Sequence, residues 1–167
     1  MRFKYIIGID EVGRGPLAGP VAVGAVCIYS KHYAKVEKMF PITKDSKKLS
    51  AKDREKWNDS IYEAEALGYL SYTVSYISSS VIDKKGLSYA IRAALEKSLK
   101  QTKHIVGKTK VLLDGGLHAP VNYLHQETIV KGDEKEISIA LASIVAKVAR
   151  DKKMINLSKI MLLRIVN

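Results

Sequence analysis

Nine residues without a charge, VAVGAVCIY from Val21 to Tyr29, form the longest apolar run of the chain. Such a run is about half the length needed to cross a membrane, which takes roughly 18 residues or more. It also lacks the polar–apolar alternation that would leave one face of a strand to solvent. It reads as a strand buried on both faces, and such a strand needs cover from other elements on each side. Residues 3–9, rich in aromatic and β-branched types, read as a strand before it. The turn-rich segment 13–20 between the two predicts an antiparallel pair. Cys27 is the only cysteine and lies inside the apolar run, so an internal disulfide is excluded. It reads as a small buried hydrophobe in a reducing cytoplasm. Asp10 and Glu11 interrupt the first apolar segment, which is not the layout of a signal peptide. The expectation is a soluble, cytoplasmic chain.

The rest of the sequence supplies the cover. Ser50, with Asp53 three residues on, resembles a capping box and opens a helix that Leu67-Gly68 closes. Residues 69–77 alternate Tyr, Ser, Thr and Val and read as a third, partly exposed strand. Leu87, Ile91, Leu95 and Leu99 recur at steps of four, giving a helix over 87–101 with one apolar stripe. Residues 110–113 and 128–130 read as short strands. Residues 136–150 read as a long helix, small or apolar on nearly every side, that packs directly on the sheet. The 167 residues make one domain, with no repeat or low-complexity linker. The predicted architecture is a mixed α/β sheet, first three strands antiparallel, flanked by helices.

Charge and motif point to a polyanion. Lys and Arg outnumber Asp and Glu 28 to 17, a net charge of +11, and neutralising phosphates releases counterions. Segment 31–56 alone holds nine Lys or Arg against four acids. Three apolar strands lead into acids: Ile9-Asp10-Glu11, Leu113-Asp114 and Val130-Lys131-Gly132-Asp133. Adjacent carboxylates raise each other's pKa, and a hard divalent cation that prefers oxygen ligands removes that cost. Strand ends opening into loops are where an open α/β sheet gathers a site, so the acids can converge on two ions. Ordinary Asp-Gly turns are the alternative reading of Asp114-Gly115 and Gly132-Asp133. Gly13-Arg14-Gly15 follows the first acids at once and offers bare backbone and a guanidinium for a phosphate or sugar. Other motifs fail. Gly107-Lys108-Thr109 lacks the upstream glycine and the following helix of a nucleotide-binding loop. His32, His104, His118 and His125 have no zinc-ligand spacing. No GxSxG nucleophile elbow is present. Trp57, Tyr69, Tyr72 and Tyr76 could stack on bases, but packing is the expected use.

The blocks GIDEVGRGPLAGPVAVGAV at 8–26, DSKKLS at 45–50, LLDGG at 112–116 and KGDEKEISIALASIVAKVARD at 131–151 resemble type 2 ribonuclease H, ribonuclease HII. The similarity covers about residues 5–160. It implies a ribonuclease-H-like fold with a five-stranded mixed sheet. It implies an endonuclease that hydrolyses the RNA strand of RNA–DNA hybrids and incises duplex DNA at single ribonucleotides, as ribonucleotide excision and DNA replication require. Mg²⁺ or Mn²⁺, two ions with substrate bound, is the implied cofactor, and 5′-phosphate ends are the implied product. By position Asp10, Glu11, Asp114 and Asp133 match the metal-coordinating, catalytic acids. Gly13, Arg14 and Gly15 match the turn that reads the ribose 2′-hydroxyl, and Ser46 and Lys47 match a block near the substrate backbone. Nucleic acid is the only partner expected, with no membrane and no obligate protein partner. Residues 161–167 depart from the family pattern, so the expectation is a catalytic domain over 1–160 lacking its C-terminal part, followed by an atypical tail. Two alternatives stay open: an impaired or dead nucleic-acid-binding remnant, and another nuclease of the same fold acting on DNA.

Overall fold

The computed structural model describes residues 2–16, 18–42 and 49–166. Strand β1 (Tyr5–Val12) pairs antiparallel with β2 (Val21–Tyr29) in a register that sets Gly8 opposite Val26 and Asp10 opposite Gly24. β3 (Leu70–Ile77) adds antiparallel to the other side of β2. β4 (Thr109–Asp114) pairs parallel with β1, and β5 (Gln126–Ile129) parallel with β4, so the sheet order is β3-β2-β1-β4-β5. The mixed five-stranded sheet, antiparallel in its first three strands, is as expected. β1 runs three residues further than predicted, so Asp10 and Glu11 stand inside the strand. The last strand ends earlier, leaving Asp133 in a separate 3₁₀ turn over Gly132–Glu134.

The helices are α1 (Tyr33–Met39), α2 (Ala51–Ala66), α3 (Ser79–Lys85), α4 (Leu87–Gln101) and α5 (Ile137–Val166). The expected caps of α2 are present: the Ser50 hydroxyl accepts from the Asp53 backbone N–H at 3.2 Å, and Gly68 follows with φ +72°. Helices α1 and α3 are missing from the sequence reading because seven residues with at most one buried side chain leave no period to detect. α5 continues well past 150 because no glycine or proline follows to stop it. Its outer turns expose Ile155, Leu157, Ile160 and Leu162. Among the described residues no helix is long and apolar enough to cross a membrane.

Strand alternation sends side chains to two cores. Ile7, Ile9, Val23, Ala25, Cys27, Val111 and Leu113 meet Ile91, Leu95 and Leu99 of α4 on one face. Val26 and Ile28 meet Leu141, Val145, Ile61 and Phe40 on the other. Trp57, Tyr69 and Tyr72 pack against this second core, so packing is their use. Cys27 is fully buried, which pushes its thiol up to about 12.

α5 lies almost on the sheet backbone. A Cβ at Gly8 would stand 2.0 Å from the Ser138 carbonyl carbon, and one at Gly24 2.3 Å from the Ala142 carbonyl oxygen. Backbone cannot step aside as a side-chain end can, and overpacking costs typically about 1–3 kcal/mol even where neighbours relax. Gly24→Ala is expected to lower unfolding stability by about 3 kcal/mol or more in denaturant titrations. Gly107→Ala, with open space at its Cβ, should change stability little; equal effects would show that the close approach of α5 is not a constraint.

Candidate active site

Pleat geometry separates the two adjacent acids. Ile7 and Ile9 face α4, so Asp10 points to the α5 face and Glu11 to the α4 face. On β4 Val111 and Leu113 also face α4, which turns Asp114 toward α5 beside Asp10. The β1–β4 register runs to Ile9 opposite Leu113, and the two aspartates follow one step on. Asp10 is 7% exposed. Burial, with smaller contributions from Asp114 and Glu11, pushes its carboxyl up to about 7. Ser143 and Lys147 of α5 act in the opposite direction. Glu11 is also raised, first by burial, while Arg14 Nη1 donates to its Oε1 at 2.9 Å and partly compensates. Its other oxygen, Oε2, is buried without a hydrogen-bond partner.

A backbone hydrogen bond ties the turn before Asp133 to Asp114. The Gly132 backbone N–H donates to Asp114 Oδ1 at 2.6 Å, after Lys131 in the left-handed conformation (φ 54°). Asp133 then lines a cleft of about 240 Å³ with Glu134, Arg54, Trp57, Ser143 and Lys147. Asp10, Glu11 and Asp114 thus interact electrostatically, while Asp133 lines the neighbouring cleft, linked to Asp114 through the Gly132 backbone. Among the described residues no group of three or more acidic, His or Cys side chains is placed so that it could hold a metal ion. The donor set nonetheless suits a hard cation by its chemistry: carboxylates only, one buried oxygen without a partner, and an Asp10 carboxyl whose charged form burial disfavours. Ser46 and Lys47 lie outside the described residues.

The Gly13-Arg14-Gly15 turn is held from below. Gly13 has φ +99°, and a Cβ there would stand 2.7 Å from Arg150 Nε. Arg150, buried on α5, donates from Nε to the Pro20 carbonyl at 3.0 Å and from Nη2 to the Ala18 carbonyl at 3.1 Å. Gly15 has open space around it. Ser143, Lys147 and Arg150 were not singled out in the sequence. Their signal was there, as polar residues at steps of four and three along a helix otherwise apolar or small.

Comparison with known proteins supplies the family and the fold. The family model for ribonuclease HII matches residues 7–163. The ribonuclease HII of Clostridium botulinum (strain Hall) is 41% identical over 157 residues, 93% of this chain and 55% of that protein. This chain therefore spans about half the length of that relative. The crystal structure of ribonuclease H2 from Pyrococcus horikoshii OT3 superimposes with a TM-score of 0.74 at 24% identity, covering 93% of this chain and 76% of that one. The structure of Bst-RNase HIII in complex with Mn²⁺ gives 0.68 at 22% identity, over 93% and 54%.

The raised Asp10 carboxyl carries a stability consequence. An acid whose pKa is higher folded than unfolded contributes stability at low pH, and that contribution is lost as pH rises through the folded value. For Asp10 the window lies between its ordinary 3.8 and about 7. At about 1.36 kcal/mol per unit, the loss is a few kcal/mol. Without divalent metal, Asp10→Asn is expected to gain stability over the parent chain progressively across this window. Mg²⁺ or Mn²⁺ above neutral pH should raise the parent's melting temperature and leave the variant's unchanged. A stability difference independent of pH would remove Asp10 as the titrating group.

Proposed function

This chain belongs to the ribonuclease HII family, and from that membership we propose that it is a metal-dependent endoribonuclease. In this reading it hydrolyses the RNA strand of RNA–DNA hybrids and incises duplex DNA at single ribonucleotides. The observation that carries it is the pair of under-compensated carboxylates, Asp10 and Glu11, with Asp114 beside Asp10 on the neighbouring strand and Arg14 of a braced glycine turn bonded to Glu11. Buried acids alone are a liability. Beside a cationic, backbone-rich turn they suit a phosphodiester whose approach brings cations with it.

Asp10, Glu11, Asp114 and Asp133 would hold Mg²⁺ or Mn²⁺, two ions when substrate is bound. The chemistry supplied by such a pair is activation of the attacking water and stabilisation of charge on the departing 3′-oxygen. Residues of the chain do the rest. Asp10 and Asp114, fixed on neighbouring strands, keep the negative charge in place without reorganisation. Lys147 and Arg54 line the cleft beside Asp133, where they offset the negative charge of an incoming backbone. Gly13 and Gly15 let the backbone approach the sugar, and Arg14 is free on its outer side to test for the 2′-hydroxyl, the group that distinguishes RNA from DNA. Ser46 and Lys47 are assigned to the substrate backbone on the same family correspondence, and residues 1–160 to the catalytic domain. The positive net charge supplies the general, salt-dependent affinity for the duplex. The chain is assigned to the cytoplasm, where nucleic acid is its partner.

The deciding assay is cleavage of duplex DNA containing one ribonucleotide, with and without Mg²⁺ or Mn²⁺. Asp10→Asn should cut turnover by orders of magnitude while duplex binding is largely kept, because phosphate contacts dominate affinity. Near-normal turnover in that variant would take Asp10 out of the catalytic set.

Arg14 tests the sugar-reading part separately. Arg14→Ala should weaken cleavage of the ribonucleotide-containing duplex far more than it weakens binding of all-DNA duplex. Equal losses on the two substrates would make Arg14 a general phosphate contact.

A further inference from the structure

The acids and the arginine turn have a second cleft beside them, on the opposite face of the sheet. It encloses about 360 Å³ between α4 and the loop that leaves β4, lined by Arg14, Ser88, Arg92, Gly116 and His118 over a floor of Ile91, Leu95 and Leu117. Its charge differs from that of the cleft on the α5 face. That one sets two carboxylates, Asp133 and Glu134, beside two cations, Arg54 and Lys147; this one carries cations and no carboxylate. Arg14 is common to the reading turn and to the cleft wall, so the two are continuous. Its guanidinium is tied to Glu11 at 2.9 Å. Arg92 has no ion pair among the described residues, although it is exposed on a helix beside another arginine.

Helical spacing builds this wall. Ser88, Ile91, Arg92 and Leu95 fall at steps of three and four, one face of α4. Ile91 and Leu95 are buried in the core and fix the helix, while Arg92 and Ser88 remain at the surface. Two guanidiniums, a hydroxyl, an imidazole and the exposed backbone of Gly116 make a donor-rich, acid-free lining. Donors of these types are the ones that phosphate oxygens accept from, and arginine forks match that geometry. The apolar floor suits the deoxyribose or ribose carbons attached to such a phosphate.

We propose that this cleft is a phosphodiester subsite, holding a backbone phosphate of the nucleic-acid substrate away from the scissile one, with Arg92 as its principal contact. The proposal rests on the nuclease reading for the identity of the ligand. Its consequence is that the duplex is gripped on both faces of the sheet edge: acids and Lys147 on the α5 side, arginines on the α4 side. Register along the backbone is then set by two points, and Arg14 stands between them.

The test is equilibrium binding of a short duplex DNA containing one ribonucleotide, in EDTA so that no cleavage occurs, over about 50 to 200 mM salt. Arg92→Gln should weaken binding roughly three- to tenfold at the low-salt end and reduce the slope of log affinity against log salt by about one. Arg92→Lys should recover most of the slope. Lys97→Gln removes a charge from an exposed position of the same helix outside the cleft, and should change the slope little. Both glutamine variants replace exposed residues, so folding is preserved. A parent-like slope in Arg92→Gln, or equal losses in the two glutamine variants, would overturn the subsite. Absence of cleavage by the parent chain with metal would instead sink the nuclease reading, and the salt slopes would be unaffected by that outcome.

Discussion

The near-contact of α5 with the backbone of β1 and β2 is the constraint on which the rest of this molecule depends. Every fourth residue of the helix meets a glycine: Ser138 meets Gly8, Ala142 and Ala146 meet Gly24, Arg150 meets Gly13, and Met154 meets Gly19. Twelve helical residues from Ser138 to Arg150 rise about 18 Å, and five strand residues from Gly8 to Gly13 span about 17 Å. Helix and strand therefore run side by side in matched step. Because Gly24 is also the register partner of Asp10, the same absence of a Cβ that admits the helix brings Ser143 and Lys147 up to the Asp10 carboxylate. Packing and site chemistry share one set of contacts here.

Adjacency in sequence becomes opposition in space. Asp10 and Glu11 are consecutive, and a strand must send consecutive side chains to opposite faces. One acid consequently belongs to the α5 side with Asp114, and the other reaches the α4 side, where Arg14 meets it. This divides the surface around the end of β1 into a cleft of mixed charge and a cationic one. Splitting the consecutive acids lets each take a different partner: Asp10 meets Asp114, Ser143 and Lys147, and Glu11 meets Arg14.

Most of the framework was legible in the sequence because it rests on strong periodic signals. The nine-residue β2, the four-step stripe of α4 and the Ser50 cap of α2 leave little choice of conformation. Asp10, Glu11 and Asp114 were legible because apolar strands run straight into them. Asp133 was expected just past a strand over 128–130, whereas the strand stops at Ile129, since three β-branched residues, Thr128, Ile129 and Val130, mask the onset of a turn that a left-handed Lys131 makes. What brings it to Asp114 is a backbone N–H, and no side-chain pattern encodes that. Arg92 and His118 come from distant segments, and only the fold shows that they share a wall with Arg14.

Arg150 shows why the turn needs more than glycines. A glycine-rich loop is easily bent and loses more conformational entropy on ordering than other residues do. Two carbonyls of the 13–20 segment accept from one planar guanidinium that is itself buried on a rigid helix, so a single side chain fixes two points of the loop at once. A lysine ammonium could bond both carbonyls only by converging them on one atom, whereas the fork holds them at its own spacing. Gly13 must then lack a side chain, because the fork occupies the space beneath it. The helix that packs against the glycines of β1 and β2 thus also sets the shape of the loop that carries Arg14.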